Sequence, residues 1–236
     1  MKNALRIHVC LTASLLCFGV TQPLVAATIY NNSTNDLAIR FNPGASQVGN
    51  EVILAGTERY LTAFSFEYWG LSSNPNSFAG QITAEVRFYL NNGPLFNGYA
   101  TPGATPFYDS TFAVPAPTSR GTFVFSGADF GPSGFLFLPT TSTVDLTWTV
   151  QFSGMGLGDS VGLDLYGPPT VGTTFGDYWQ NNGGGWLLLT NSLVPPNAAF
   201  GADMVAVATP EPSMLSLSVL GGLGMLVAAR RLGRKE

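Results

Sequence analysis

The clearest pattern in the chain is a two-residue alternation of apolar and polar positions. In 82–90, Ile82, Ala84, Val86, Phe88 and Leu90 fall on one side, and Thr83, Glu85, Arg87 and Tyr89 on the other. Residues 144–152 repeat it: Val144, Leu146, Trp148, Val150 and Phe152 oppose Asp145, Thr147, Thr149 and Gln151. This period predicts strands with one face on a core and one face in water. Weaker runs of β-branched and aromatic residues predict strands at 37–41, 51–54, 60–68, 107–112, 122–125, 161–166, 186–190 and 204–207. Clusters of Gly, Pro, Asn and Ser separate them, as turns require. No helical period is sustained between 28 and 209. About ten strands without helical crossovers must pair mainly antiparallel and hide their inner faces on one another. The predicted fold class is all-β: an antiparallel β-sandwich, jelly-roll-like, spanning 28–209, followed by one C-terminal transmembrane helix.

The two ends break the pattern. Residues 1–27 carry Lys2 and Arg6, then an apolar run from Val9 to Val20, and end in Leu24-Val25-Ala26-Ala27. A basic start, an apolar stretch too short to span a bilayer and small residues at the end predict a cleaved export signal. Cleavage fits best after Ala27, and nearly as well after Ala26. Cys17 is not read as a lipidation site, because Leu15 and Leu16 precede it where a small residue is needed.

At the other end, Pro210-Glu211-Pro212 is followed by an uncharged stretch, Met214 to Ala229, and then by Arg230, Arg231, Arg234 and Lys235. As a helix, 214–229 would extend roughly 24 Å, slightly short of a hydrocarbon core of about 30 Å. Arginine stems reaching to the interface cover part of the deficit. The basic cluster is a stop-transfer signal that belongs on the cytoplasmic side, leaving 28–209 outside. Motif, apolar span and basic end, in this order and behind an export signal, resemble the PEP-CTERM sorting signals. The resemblance is confined to 210–236. It implies recognition by a membrane protease of the exosortase type, with processing near Pro210, Glu211 and Pro212. It also implies a membrane-anchored precursor delivered to the cell surface or exopolysaccharide matrix of a Gram-negative-type bacterium. The two prolines keep the motif extended, as a protease cleft prefers.

Composition then removes whole classes of chemistry. Cys10, Cys17 and His8 all lie in the leader, so 28–209 contains neither cysteine nor histidine. That excludes disulfides, thiolate zinc sites and nucleophile–histidine pairs from the domain. Its four arginines, Arg40, Arg59, Arg87 and Arg120, face twelve acidic residues and no lysine, the reverse of the basic stripe a nucleic acid needs.

Three sets of side chains remain as candidate chemistry. Glu58, Glu67 and Glu85 are the carboxylates from which a glycosidase-type pair would be drawn. Asp159, Asp164 and Asp177 lie near turn-rich segments and are candidate ligands for a structural calcium, the one cofactor considered. Trp179 and Trp186 flank a turn at Asn181–Gly185, with Tyr178, Asp177 and Asn182 nearby. Indole faces beside amide and carboxylate groups suit a polysaccharide, although a cross-strand aromatic pair capping the core is the plainer expectation. The function expected is that of a non-catalytic surface or matrix protein, structural or adhesive. A jelly-roll carbohydrate-binding module and a carboxylate-based secreted hydrolase are the alternatives.

Overall fold

The computed structural model describes residues 25–139, 145–190 and 199–208. The leader up to Leu24, Val144, and the tail with Pro210, Glu211, Pro212, the 214–229 span, Arg230, Arg231, Arg234 and Lys235 lie outside the described residues. Among the described residues no helix is long and apolar enough to cross a membrane.

The aromatic-rich run Tyr60–Leu71 forms the longest strand, β4. Around it a first sheet runs β1 (Ala27–Asn31), β17 (Ala202–Val207), β4, β12 (Ser160–Tyr166) and β16 (Ala199–Phe200). β9 (Thr118–Ser126) and β10 (Leu136–Phe137) also pair with β4, and β2 (Asp36–Phe41) pairs with β12. The second sheet runs β15 (Trp186–Thr190), β14 (Asp177–Asn181), β3 (Gln47–Ile53), β11 (Leu146–Ser153), β5 (Thr83–Leu90) and β8 (Tyr108–Ala113), with β13 (Thr173–Thr174) beside β3. A small hairpin, β6 (Leu95–Phe96) and β7 (Tyr99–Ala100), rises from the β5–β8 connection. The pairings are antiparallel, as the missing helical crossovers predict.

The sheets pack face to face. Phe64 of β4 lies 5.4 Å from Trp148 of β11 and 5.0 Å from Phe88 of β5, ring centre to ring centre. Phe66 stacks on Phe123 at 5.4 Å and on Trp148 at 6.1 Å. Ala84, Val86, Phe88, Leu146, Trp148, Val150 and Phe152 are all buried between the sheets, on the side the alternation predicts. Burying an indole, about 200 Å² of surface, is worth about 5 kcal/mol, so this aromatic layer dominates the core.

One expectation fails. The polar side of β11 is not in water: Thr147 and Thr149 are fully buried, and Tyr89 on β5 nearly so. The outer face of the second sheet is covered by its own far edge. Trp186 of β15 meets Tyr89 of β5 at 5.3 Å, although β14, β3 and β11 lie between those strands. Four strand spacings in a flat sheet would separate them by roughly 19 Å. The sheet must therefore curl, with its outer face concave. β14 and β15 form the hairpin expected about Asn181–Gly185, whereas β1 lies outside the expected strands and takes in Ala27, paired with Ala206, from the end of the expected leader.

Ala38 in β2 adopts φ 58, a left-handed conformation that costs a residue with a Cβ roughly 1 kcal/mol. The Asp36 carboxylate accepts the Ala38 amide at 2.7 Å and holds the kink. Replacing Ala38 by Gly is expected to raise stability by up to about 1 kcal/mol in chemical denaturation. Trp148→Ala in the same assay should cost about 3–5 kcal/mol.

Candidate functional site: the concave face of the second sheet

Register places three rows of side chains across the concave face. The central row runs Leu188, Trp179, Gly49, Thr149, Arg87 and Asp109. On one side of it lie Trp186, Asn181 and Gln47. On the other lie Glu51, Thr147 and Tyr89. Gly49 is the close point between β3 and β11: a Cβ there would come within 2.7 Å of the Thr149 Cα.

One half of this face is aromatic. Trp179 is fully buried. Its indole N–H donates to Glu51 Oε2 at 3.1 Å, and Phe96 from the β6–β7 hairpin meets its ring at 6.4 Å. Trp186 is half-buried against Tyr89. Gln47 donates to the Tyr89 hydroxyl at 3.0 Å and to Thr149 Oγ1 at 2.7 Å, which ties the ring to the sheet. On the hairpin above, Leu95 and Tyr99 are 73% and 60% exposed, an apolar rim. The other half is polar. Arg87 pairs with Glu85, with Asp109 at 3.1 Å and with the Gln151 side chain at 3.4 Å. Thr147 donates to Asn91 Oδ1 at 2.6 Å.

Glu51 is the unusual acid here. Burial pushes its carboxyl up to about 7; the Trp179 N–H opposes this, while the Asp145 carboxyl and the charge of Asp177 reinforce it. Near neutral pH it shares the face as a partly protonated group.

The five residues expected around the β14–β15 turn do not converge. Asn181–Gly185 does turn the chain, with Gly183 and Gly185 at φ 88 and 112, and Asn182 is exposed there. Tyr178 points the opposite way from Trp179, into the sandwich, where it packs on Phe41 at 5.1 Å and Phe200 at 5.6 Å. Asp177 is half-buried, and its carbonyl accepts from Asn50 at 2.8 Å. Trp179 has no free face. Of the five, Trp186 alone offers a partly open ring on the concave side. The nearby cavity lined by Asn50, Leu165, Asp177, Tyr178 and Phe200 holds about one water, too little for a sugar.

The calcium candidates are likewise separated. The Asp159 carboxylate is occupied by the amides of Ala79, Gly80 and Gly156 at 2.8–3.0 Å. Asp164 is buried on β12 in the first sheet and Asp177 lies on β14 in the second. Among the described residues no three Asp or Glu side chains come together as a metal site. Of the glycosidase candidates, Glu67 sits on the outer face of the first sheet, Glu85 on the concave face of the second, and Glu58 in the β3–β4 loop, so no two of them flank a common space.

The acids set the pH dependence of stability. Desolvation works upward on Asp159, but the backbone amides of Ala79, Gly80 and Gly156 outweigh it and hold the group at about 2. A carboxyl depressed in the fold stabilises it above the ordinary value, and that contribution is lost as pH falls from about 4 to about 2. Glu51 acts with the opposite sign. Folded, it keeps a proton that the unfolded chain releases near 4.5, so its contribution is present in acid and is lost as pH rises to about 7. The thermal midpoint should therefore peak near pH 4–5 and decline on both sides. Glu51→Gln, whose amide oxygen still accepts from Trp179, should flatten part of the neutral-side decline, as followed by circular dichroism.

No protein-family model, curated protein or solved structure matches the chain, so this face is read from its chemistry alone.

Proposed function

We propose that this chain is an exported, non-catalytic surface or matrix protein, a display domain sorted through its C-terminal tail. The observation that carries the proposal is the order of its segments: leader, β domain, Pro210-Glu211-Pro212, apolar run and basic end. The precursor would be held in the inner membrane by 214–229, handled by an exosortase-type enzyme, and delivered to the cell surface or the extracellular matrix. The lack of His and Cys in 28–209, and the separation of Glu58, Glu67 and Glu85, support a role without catalysis. The sandwich is read as jelly-roll-like because the chain changes sheet at almost every long connection, from β3 to β4 to β5, β8 to β9, and β11 to β12 to β14.

A second reading is favoured by one specific feature. Trp186, braced edge-on by Tyr89 next to Gln47 and the Arg87 cluster, gives the concave face a ring beside hydrogen-bonding groups. That combination suits a polysaccharide, whose C–H faces stack on aromatic rings while its hydroxyls bond to polar side chains.

Neutralising Arg230, Arg231, Arg234 and Lys235 together is expected to disturb membrane retention and processing. Unchanged localisation and an unchanged mature mass would remove the sorting proposal. For the second reading, Trp186→Ala should weaken retention on the host's own matrix polysaccharide roughly tenfold without loss of folding. Equal retention of variant and parent would leave the domain a structural or protein-adhesive one.

A further inference from the structure

The outer face of the first sheet carries a cluster of five charged side chains in which Asp164 and Glu67 are buried and Asp36, Arg40 and Arg120 reach toward solvent. Asp164 of β12 is fully buried, and so is Tyr166 two residues on. Glu67 of β4 is nearly buried and accepts from Thr122 at 2.9 Å. Two guanidiniums close the group. Arg40 of β2 lies 3.1 Å from Asp164 and 3.6 Å from Asp36. Arg120 of β9 lies 3.4 Å from both Asp36 and Glu67, and its guanidinium sits 5.2 Å over the Tyr166 ring. These are the charged and titratable groups that face Asp164 from β2, β4, β9 and β12.

The ring is one charge out of balance. With Asp164 ionised, three carboxylates share two guanidiniums, and Asp164 itself is wholly removed from water while Arg40 and Arg120 keep part of their surface in it. With Asp164 protonated, Asp36 and Glu67 balance Arg40 and Arg120. Neither oxygen of Asp164 receives a properly directed hydrogen bond, and the Tyr166 hydroxyl has no partner. An ionised carboxylate without directed donors is poorly compensated for its lost hydration. Burial accordingly pushes Asp164 up to about 7; Arg40 opposes this, while Asp36 and Glu67 add to it.

What the ring holds is a weakly attached strand. Among the described strands β2 shares a backbone ladder with β12 alone, where the register slips between Leu165 and Tyr166, and its one bond to β4 is from the Trp69 indole N–H to the Phe41 carbonyl at 3.2 Å. It also carries the left-handed Ala38. Its inward residues are nonetheless part of the packing: Phe41 meets Tyr178 at 5.1 Å and Phe200 at 5.2 Å. Arg40 reaches Asp164 across the β2–β12 pairing but is already shared with Asp36, so ionising Asp164 adds a third carboxylate rather than a balanced pair.

We propose that the ring of Asp36, Arg40, Glu67, Arg120 and Asp164 is a proton-operated latch on β2, closed while Asp164 holds its proton and loosened when it gives that proton up. Opening would draw Phe41 away from Tyr178 and Phe200 and bare those rings at one end of the sandwich. The sign follows from linkage. Closed, Asp164 keeps a proton that it would release near 3.8 in water. The closed form is therefore tightest in mild acid, and its advantage is lost as pH rises to about 7. The opening equilibrium climbs by up to tenfold per pH unit over that window and then levels off.

Hydrogen exchange of the full-length protein, corrected for the intrinsic pH dependence of amide exchange, reads this directly. Between about pH 4.5 and about pH 8.5, the amides of 36–41 should open increasingly relative to those of 63–67 in the centre of β4. Asp164→Asn should abolish that dependence and keep β2 as protected in mild base as the parent is in mild acid. Glu51→Gln, on the other sheet, should leave it untouched. Should Asp164→Asn fail to fold, carboxyl NMR on the parent takes its place, with the Asp164 midpoint expected to coincide with β2 opening. Exchange of β2 that tracks β4 at every pH, a parental profile in Asp164→Asn, or an Asp164 midpoint at the ordinary carboxylate value would each overturn the proposal.

Discussion

The contact of Phe64 and Phe66 with Trp148 and Phe88 holds the two sheets together, and the remaining architecture is arranged about it. β4 supplies the phenylalanines, and β11 and β5 supply the rings they meet. Without a disulfide in the domain, no covalent cross-link reinforces the loops that join the sheets, so their spacing and alignment depend mainly on side-chain packing. A layer built from rings also tolerates little lateral slip, because edge-to-face pairs lose their attraction when displaced. That rigidity is what lets both outer faces carry demanding arrangements, a concave aromatic face on one sheet and a partly buried ionic ring on the other.

Those outer faces are built on different physical terms. On the second sheet, curling brings β15 back over β5 and replaces water by aromatic surface. Each polar atom of Gln47, Thr149 and Tyr89 that loses hydration there gains a hydrogen bond. On the first sheet, charge replaces apolar cover and compensation is incomplete, since Asp164 and Tyr166 keep unsatisfied oxygens. Fully satisfied buried polar groups favour one arrangement; partly satisfied ones leave a second within reach.

Alternation alone made the inner face legible. Ala84, Val86, Phe88, Leu146, Trp148, Val150 and Phe152 could be assigned to the core from the chain, because period two fixes which side each residue takes. The same parity grouped Glu85, Arg87 and Tyr89 on one side, and Thr147, Thr149 and Gln151 on theirs. What parity cannot carry is curvature. The burial of Thr147 and Thr149 depends on Trp186 reaching Tyr89, a contact between residues far apart in the chain. Trp179 illustrates the same limit: its burial agrees with the plainer core-capping expectation, but nothing local shows that Gly49 across the strand and Phe96 from a separate hairpin complete its enclosure. Asp164 stands on the outward parity of 161–166, and nothing local shows that β2 and β9 will cover it. Fold class and core were therefore local information, whereas the candidate site and the ionic ring are products of tertiary closure.

The position of β17 has a mechanical consequence. It lies between β1 and β4, bonded to both along its length, and ends at Val207 directly opposite Tyr60. A pull applied beyond Ala208 along the strand axis cannot peel this element away one bond at a time. It must slide β17 past two neighbours at once, loading both ladders in shear, the geometry in which a β protein resists force best. The last strand of the domain is thus also the one best placed to bear tension.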